Sequence, residues 1–221
     1  MGKQMQPIRS LETVNRITRT LSLLDDERGR RVFMLWLVGI GMGMRIGDMV
    51  DLKVGDLRGQ KAYTYTPHKQ RHKKGVHPIT LPVPATLRQA VESRYKDAAD
   101  GDWLFPSRKK NATRTKTPDN PMQRDAKKRE RVNPGAIGRQ TARLEIKEIA
   151  RLCGINEPIG CHTLRKTFGY HYYQRHHNIA ILQEWFYHES PATTLVYIGV
   201  TFDNFQDMVD DSPFSMDGVR L

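Results

Sequence analysis

Cysteine is nearly absent from this 221-residue chain. There are two, Cys153 and Cys161, and no Cys-x-x-Cys pair. A disulfide framework and a cysteine-built zinc site are thereby excluded, and a reducing cytoplasm is the compartment such usage suits. Long apolar runs are missing too. The longest block, Val32 to Met44, falls short of the roughly 20 residues a membrane span requires and reads as a buried helix. The first residues do not read as a secretory signal. Also lacking are a P-loop, an HExxH pair and any evident cluster of carboxylates, so neither a cofactor nor a metal is expected.

What the chain has in excess is positive charge. Lys and Arg number 36 against 24 Asp and Glu, a net +12. A surplus of this size points to a polyanionic partner, nucleic acid first and an acidic membrane surface as the rival. The charge is uneven. Residues 107–134 carry ten basic and three acidic side chains, broken by Pro118 and Pro121, whereas residues 203–221 carry five Asp and one Arg. The first stretch reads as a solvated loop or one ordered on DNA, and the second does not belong to the polyanion surface.

Apolar spacing organises the rest. Leu11, Val14, Ile17, Leu21 and Leu24 fall at helical intervals. The Val32–Met44 block ends or bends at Gly41 and Gly43, and a further helix is expected over 45–52. Strands are expected in KAYTYT (61–66) and HPITLP (77–82), joined by the basic stretch PHKQRHKKGV. Helices are expected at about 84–95, 138–152, 163–175 and 179–187, with a short turn at 193–197, and WLFPS at 103–107 reads as a short buried segment. The chain is thus expected to be mainly α with one small antiparallel sheet. Residues 1–9 read as a frayed or tag-like start, 10–202 as one domain, and 203–221 as an acidic tail.

Polar residues recur in four blocks. Arg45 follows the glycine-rich helix end in GMGMRIGD, and Lys69 lies in the basic hairpin. His162 and Arg165 stand three apart in HTLR, on one face of a helix entry. His188 and Tyr197 are nine apart in HESPATTLVY. Two guanidiniums, two imidazoles, an ammonium and a phenol, with no carboxylate ligands beside them, suit a phosphate site built from cations. Guanidiniums bind phosphate oxygens bidentately and stay charged.

In these blocks the sequence resembles the catalytic domain of tyrosine recombinases, the phage integrase family. The matching segments are GMGMRIGDMVDLKVGDL, KQRHKKGVHPITLP, IGCHTLRKTFGYH and WFYHESPATTLVYIGV, in family order over roughly residues 10–210. Two departures stand out. Asp48 occupies the place of the usual Glu after the first arginine, and Tyr187 that of the usual Gly before the second histidine. The catalytic domain alone is expected over this length, without the family's separate N-terminal core-binding domain.

The resemblance implies a site-specific DNA recombinase or integrase working through a 3′-phosphotyrosine, without metal or ATP. It implies Tyr197 as nucleophile and Arg45 and Arg165 holding the non-bridging oxygens. His162 assists proton transfer, His188 hydrogen-bonds the phosphate, Lys69 is the general acid, and Asp48 orients Arg45. Lys73 and Lys74 sit on the same hairpin and are alternatives to Lys69. DNA contacts are expected from Arg71, Lys73, Lys74, Lys109, Lys110, Lys127, Lys128 and Arg129. The implied partners are double-stranded DNA, further copies in a homotetramer on paired sites, and an accessory DNA-bending protein. No membrane is involved, and the setting is the cytoplasm of a bacterium carrying a phage or other mobile element. Phe202, Phe205, Met208 and Val209 either dock on a neighbouring protomer or cover the chain's own core. A relaxing topoisomerase of type IB chemistry and a non-catalytic DNA-binding accessory protein are the competing readings.

Overall fold

A computed structural model describes residues 5–71, 75–107 and 135–200. Helix α1 (Leu11–Ser22) starts where the Ser10 hydroxyl accepts from the Thr13 N–H, and it buries Val14, Ile17 and Leu21. Helix α2 (Glu27–Met42) takes in the polar residues before the apolar block, because Asp26 caps it by accepting from the Gly29 N–H. It ends at Gly43, whose φ of 59° suits a residue without Cβ. Nearly apolar all round, α2 is the central helix, with Met34, Leu35, Trp36 and Val38 fully buried. The Trp36 indole donates to Thr18 on α1 at 2.8 Å.

The expected helix over 45–52 is shorter. Helix α3 spans only Ile46–Met49. The chain leaves it because Leu52 and Val54 are needed elsewhere: the Leu52 carbonyl accepts from Leu104, and the Val54 N–H donates to Asp102. Thus the WLFPS segment, with Leu104 and Phe105 fully buried, is threaded against residues 52–54. Strands β1 (Ala62–Tyr65) and β2 (Ile79–Pro82) pair antiparallel, Tyr63 opposite Leu81 and Thr64 opposite Thr80. Ile79 and Leu81 alternate inward. Helix α4 (Ala85–Arg94) buries Leu87 and Val91.

Helix α5 (Arg139–Leu152) is tied to α2 by a buried ion pair. Arg31 donates through Nε and Nη2 to both carboxylate oxygens of Glu145, at 2.5–3.1 Å, with both side chains 7% exposed. Removing one partner of such a pair costs about 3–5 kcal/mol. Helix α6 (Cys161–His176) begins two residues before the sequence expectation, so His162 stands in its first turn. Helices α7 (Ile179–Phe186) and α8 (Pro191–Ile198) follow; Ser190 caps α8 with Pro191 at its first position, and Gly199 ends it at φ 84°. Leu182, Phe186, Ile198 and Val200 form a second small core against Phe168, Trp185 and Tyr197.

Residues 6–9, read from sequence as a frayed start, run along α6. Pro7 is buried, the Ile8 N–H donates to Thr167 Oγ1 at 2.9 Å, and the Ile8 carbonyl pairs with His171 Nε2 at 2.9 Å. The Arg9 guanidinium reaches the Gly199 carbonyl at 3.4 Å. No helix among the described residues is long and apolar enough to cross a membrane.

Candidate active site

Gly43 turns the chain out of α2, and Arg45 then takes an extended backbone as the residue capping α3. Its Nη2 donates to the Phe186 carbonyl at 2.6 Å. Arg165, from the second turn of α6, is 3% exposed and donates to that same carbonyl at 3.2 Å and to the Gly43 carbonyl. Its guanidinium also lies 4.0 Å from the Phe186 ring centroid. The last residue of α7 is therefore the hub on which both arginines meet. Burial first, and then the charge of Arg45, pull Arg165 down to about 10, so it remains a cation at neutral pH.

Helix α8 brings Tyr197 to this hub. Its hydroxyl lies 3.2 Å from His162 Nδ1, and its ring packs on His188 at 5.0 Å and Phe186 at 5.6 Å between centroids. Burial raises the Tyr197 pKa. The charges of Arg165 and Arg45, and a hydrogen bond from Arg165, oppose that rise. The phenol thus needs a neighbour to take its proton, and the imidazole within reach is His162. That side chain faces solvent on one side, and its pKa is lowered. Partial burial is the larger cause, followed by the charges of Lys166, Arg165, Arg143 and Arg45. A neutral His162 can accept the phenol proton.

His188 follows the turn after α7. Burial, then Arg165 and Arg45, push its pKa to about 4. Its Nδ1 lies 3.1 Å from the Thr194 hydroxyl, which also reaches the Ser190 carbonyl at 3.2 Å. Thr194 spends its one hydroxyl proton on the Ser190 carbonyl and so accepts from the Nδ1–H of His188, which leaves Nε2 as the free edge of the ring.

The structure brings Arg45, Arg165, His162, His188 and Tyr197 together. Lys69 is exposed on the β1–β2 connection, with no hydrogen bond or ion pair to another described residue. Asp48 is 3% exposed, and its Oδ1 accepts from the His68 backbone N–H at 2.8 Å; no hydrogen bond joins it to Arg45. Its charge acts on Arg165, and it anchors the chain one residue before Lys69. His68 also pairs through Nε2 with Asp51. Arg71 is exposed and donates to the Thr66 carbonyl at 3.1 Å. Lys73, Lys74, Lys109, Lys110, Lys127, Lys128 and Arg129 lie outside the described residues, as do Phe202, Phe205, Met208 and Val209.

Sequence reading missed several participants. Lys166, next to Arg165, is 4% exposed and sets its ammonium 5.1 Å from the Tyr197 ring centroid. Phe186 acts through its backbone, for which no side-chain motif exists. Arg139, Arg143 and Lys147 are exposed at four-residue spacing on α5. Arg139 lies against Gly47, where a Cβ would stand 3.0 Å from its guanidinium carbon. That basic stripe was legible in the sequence as a periodicity of charge. Among the described residues no group of three or more His, Cys, Asp or Glu gathers as a metal site would require.

Comparison with known proteins identifies the family. The family model "Phage integrase family" covers residues 11–204. A probable integrase/recombinase, YoeC of Bacillus subtilis (strain 168), is 33% identical over 199 residues, 90% of this chain and 92% of that protein. Tyrosine recombinase XerA of Pyrococcus horikoshii is 23% identical, and there the chain spans 59% of the relative's length. Among solved structures, the XerH site-specific recombinase bound to its palindromic difH substrate superposes with a TM-score of 0.65 at 18% identity, covering 96% of this chain and 54% of that one.

Proposed function

The chain belongs to the phage integrase family of tyrosine recombinases, and from that membership we propose that it breaks and rejoins DNA at a specific site with Tyr197 as nucleophile. The phenol oxygen attacks the scissile phosphorus, and His162 takes its proton. The bond to the 5′-oxygen breaks, leaving a 3′-phosphotyrosine, and Lys69 protonates the departing oxygen. Arg45 and Arg165 hold the non-bridging oxygens as charge builds in the transition state. His188, held through Nδ1 by Thr194, hydrogen-bonds the same phosphate through Nε2 once the phosphate charge has brought a second proton onto the ring. Rejoining is the reverse attack by a 5′-hydroxyl, so the bond energy stays in the protein–DNA link.

The observation that carries this reading is the 3.2 Å approach of the Tyr197 hydroxyl to His162, beside two guanidiniums that share one acceptor. Arg139, Arg143 and Lys147 supply phosphate contacts alongside the site. A homotetramer on paired sites, with an accessory DNA-bending protein, belongs to the same proposal.

The test is a trapping assay. A pool of nicked duplexes of randomised sequence, from which the cleaved strand is lost, is incubated with the protein in EDTA, and adducts that survive denaturation are collected. An adduct formed by the wild type and absent with Tyr197→Phe supports the proposal, and sequencing the trapped strands reads out the site. DNA binding without any adduct would leave a DNA-binding protein of recombinase fold and overturn the enzymatic reading.

A further inference from the structure

Tyr187 closes α7 in a left-handed conformation, φ 51° and ψ 49°. A side chain there is strained, and glycine is the residue at ease. The position lies between Phe186, whose carbonyl receives both arginines, and His188. A bulky residue in a strained backbone beside a reaction centre is a reason to ask what its side chain does. Here the Tyr187 hydroxyl donates to the carbonyl of His77 in the β-hairpin.

His77 lies on the returning leg of that hairpin, two residues before β2. The outgoing leg is held independently, since the His68 N–H donates to Asp48 Oδ1 and the His68 ring pairs with Asp51. The connection that carries Lys69 is thus moored on both legs, to the start of the site at α3 and to its end at the α7–α8 turn. Lys69 itself is exposed, with no hydrogen bond or ion pair to another described residue. Whatever places its ammonium must act through the backbone that carries it.

We propose that Tyr187 is a positioning residue: its hydroxyl holds the Lys69 hairpin at the reacting phosphate, a role its ring and backbone alone do not supply. This deepens the recombinase reading and rests on Lys69 as the general acid. It also explains a side chain where the backbone favours none. With glycine at position 187 the turn loses its strain, and the returning leg loses its mooring.

The test separates leaving-group protonation from folding. Single-turnover cleavage is measured for wild type, Tyr187→Phe, Tyr187→Gly and Lys69→Ala on two nicked duplexes. One is ordinary; the other has sulphur in place of the bridging 5′-oxygen, so that a thiolate leaves and needs no proton. Tyr187→Phe is expected to slow cleavage of the ordinary duplex about 10- to 100-fold, and to cleave the sulphur duplex at close to the wild-type rate. Lys69→Ala shows the same pattern more severely. Tyr187→Gly shows it too, with a Tm no lower than wild type. Hydrogen exchange over residues 75–82 is faster in Tyr187→Phe.

Equal rates for Tyr187→Phe and wild type on the ordinary duplex would overturn the proposal. So would equal losses on both duplexes accompanied by a lower Tm, which would mean a purely structural role. If Lys69→Ala alone fails to recover on the sulphur duplex while the wild type forms adduct, the acid assignment falls, and the proposal with it, but Tyr197 chemistry stands.

Discussion

Arg45 and Arg165 converge on a single acceptor, the carbonyl oxygen of Phe186, at 2.6 and 3.2 Å. Two guanidiniums spaced to share one neutral oxygen are also spaced to share a charged one. Arg45→Ala and Arg165→Ala are each expected to slow single-turnover cleavage by about 10²- to 10³-fold, the cost of losing one such donor. Arg165→Lys is expected to be nearly as damaging, because an ammonium cannot span the Gly43 and Phe186 carbonyls together. Rapid-quench measurement on nicked duplex decides it. Losses below tenfold for either alanine variant would contradict a shared phosphate role.

Acid is expected to weaken the fold through its histidines. His188 is pushed to about 4, chiefly by burial, and His162 and His171 are also lowered from the ordinary value of 6.5. The unfolded chain takes up protons near that ordinary value while the folded chain resists them. The stability these groups contribute is therefore complete above pH 6.5 and is lost as pH falls toward 4. Tm measured across that window should fall for the wild type and fall less steeply for His188→Gln. Parallel curves would assign the acid sensitivity to other groups.

Close approach of α6 and α8 depends on Gly169. A Cβ there would stand 2.7 Å from Ile198 Cγ2 and 2.8 Å from Phe186 Cε2. Gly169→Ala should cost roughly 1–3 kcal/mol in stability by overpacking. It should also slow cleavage, because Ile198 adjoins the nucleophile and Phe186 holds the arginines. Denaturant unfolding and single-turnover rates report the two effects, and a stable, fully active Gly169→Ala would show that the helices have slack.

Salt dependence tests the α5 stripe. If Arg139, Arg143 and Lys147 each neutralise a phosphate, every alanine substitution should lower the slope of log K against log salt by about 1, on specific and unrelated DNA alike. Titrations by fluorescence anisotropy measure that slope. An unchanged slope in the triple variant would place the duplex elsewhere.

Local pattern carried much of the fold. The spacing of Val14, Ile17 and Leu21, the glycine at position 43 and the alternation of Ile79 and Leu81 each mark an element the structure contains. Helix α3 was read as too long, because what ends it is pairing with residues 102–104, distant in sequence. The motif spacing named five side chains that the fold does bring together. It did not reveal that they meet on a backbone oxygen, since the Phe186 carbonyl belongs to no residue type. Tyr187 stood out only as a departure from the usual Gly, whereas the structure shows its hydroxyl reaching the hairpin. Asp48 read as a partner of Arg45, yet its hydrogen bond runs to the chain beside Lys69. Contacts of this kind depend on where loops cross, and periodicity does not encode that.

The segment at residues 6–9 adds a mechanical property to the chemistry. It grips α6 through Ile8 and the end of the tyrosine helix through Arg9 and Gly199. The end of α8 is thereby braced by residues that precede α1, and not by its own small core alone. Because Ile8 packs against the main core as well, these four residues couple the tyrosine helix to the body of the fold.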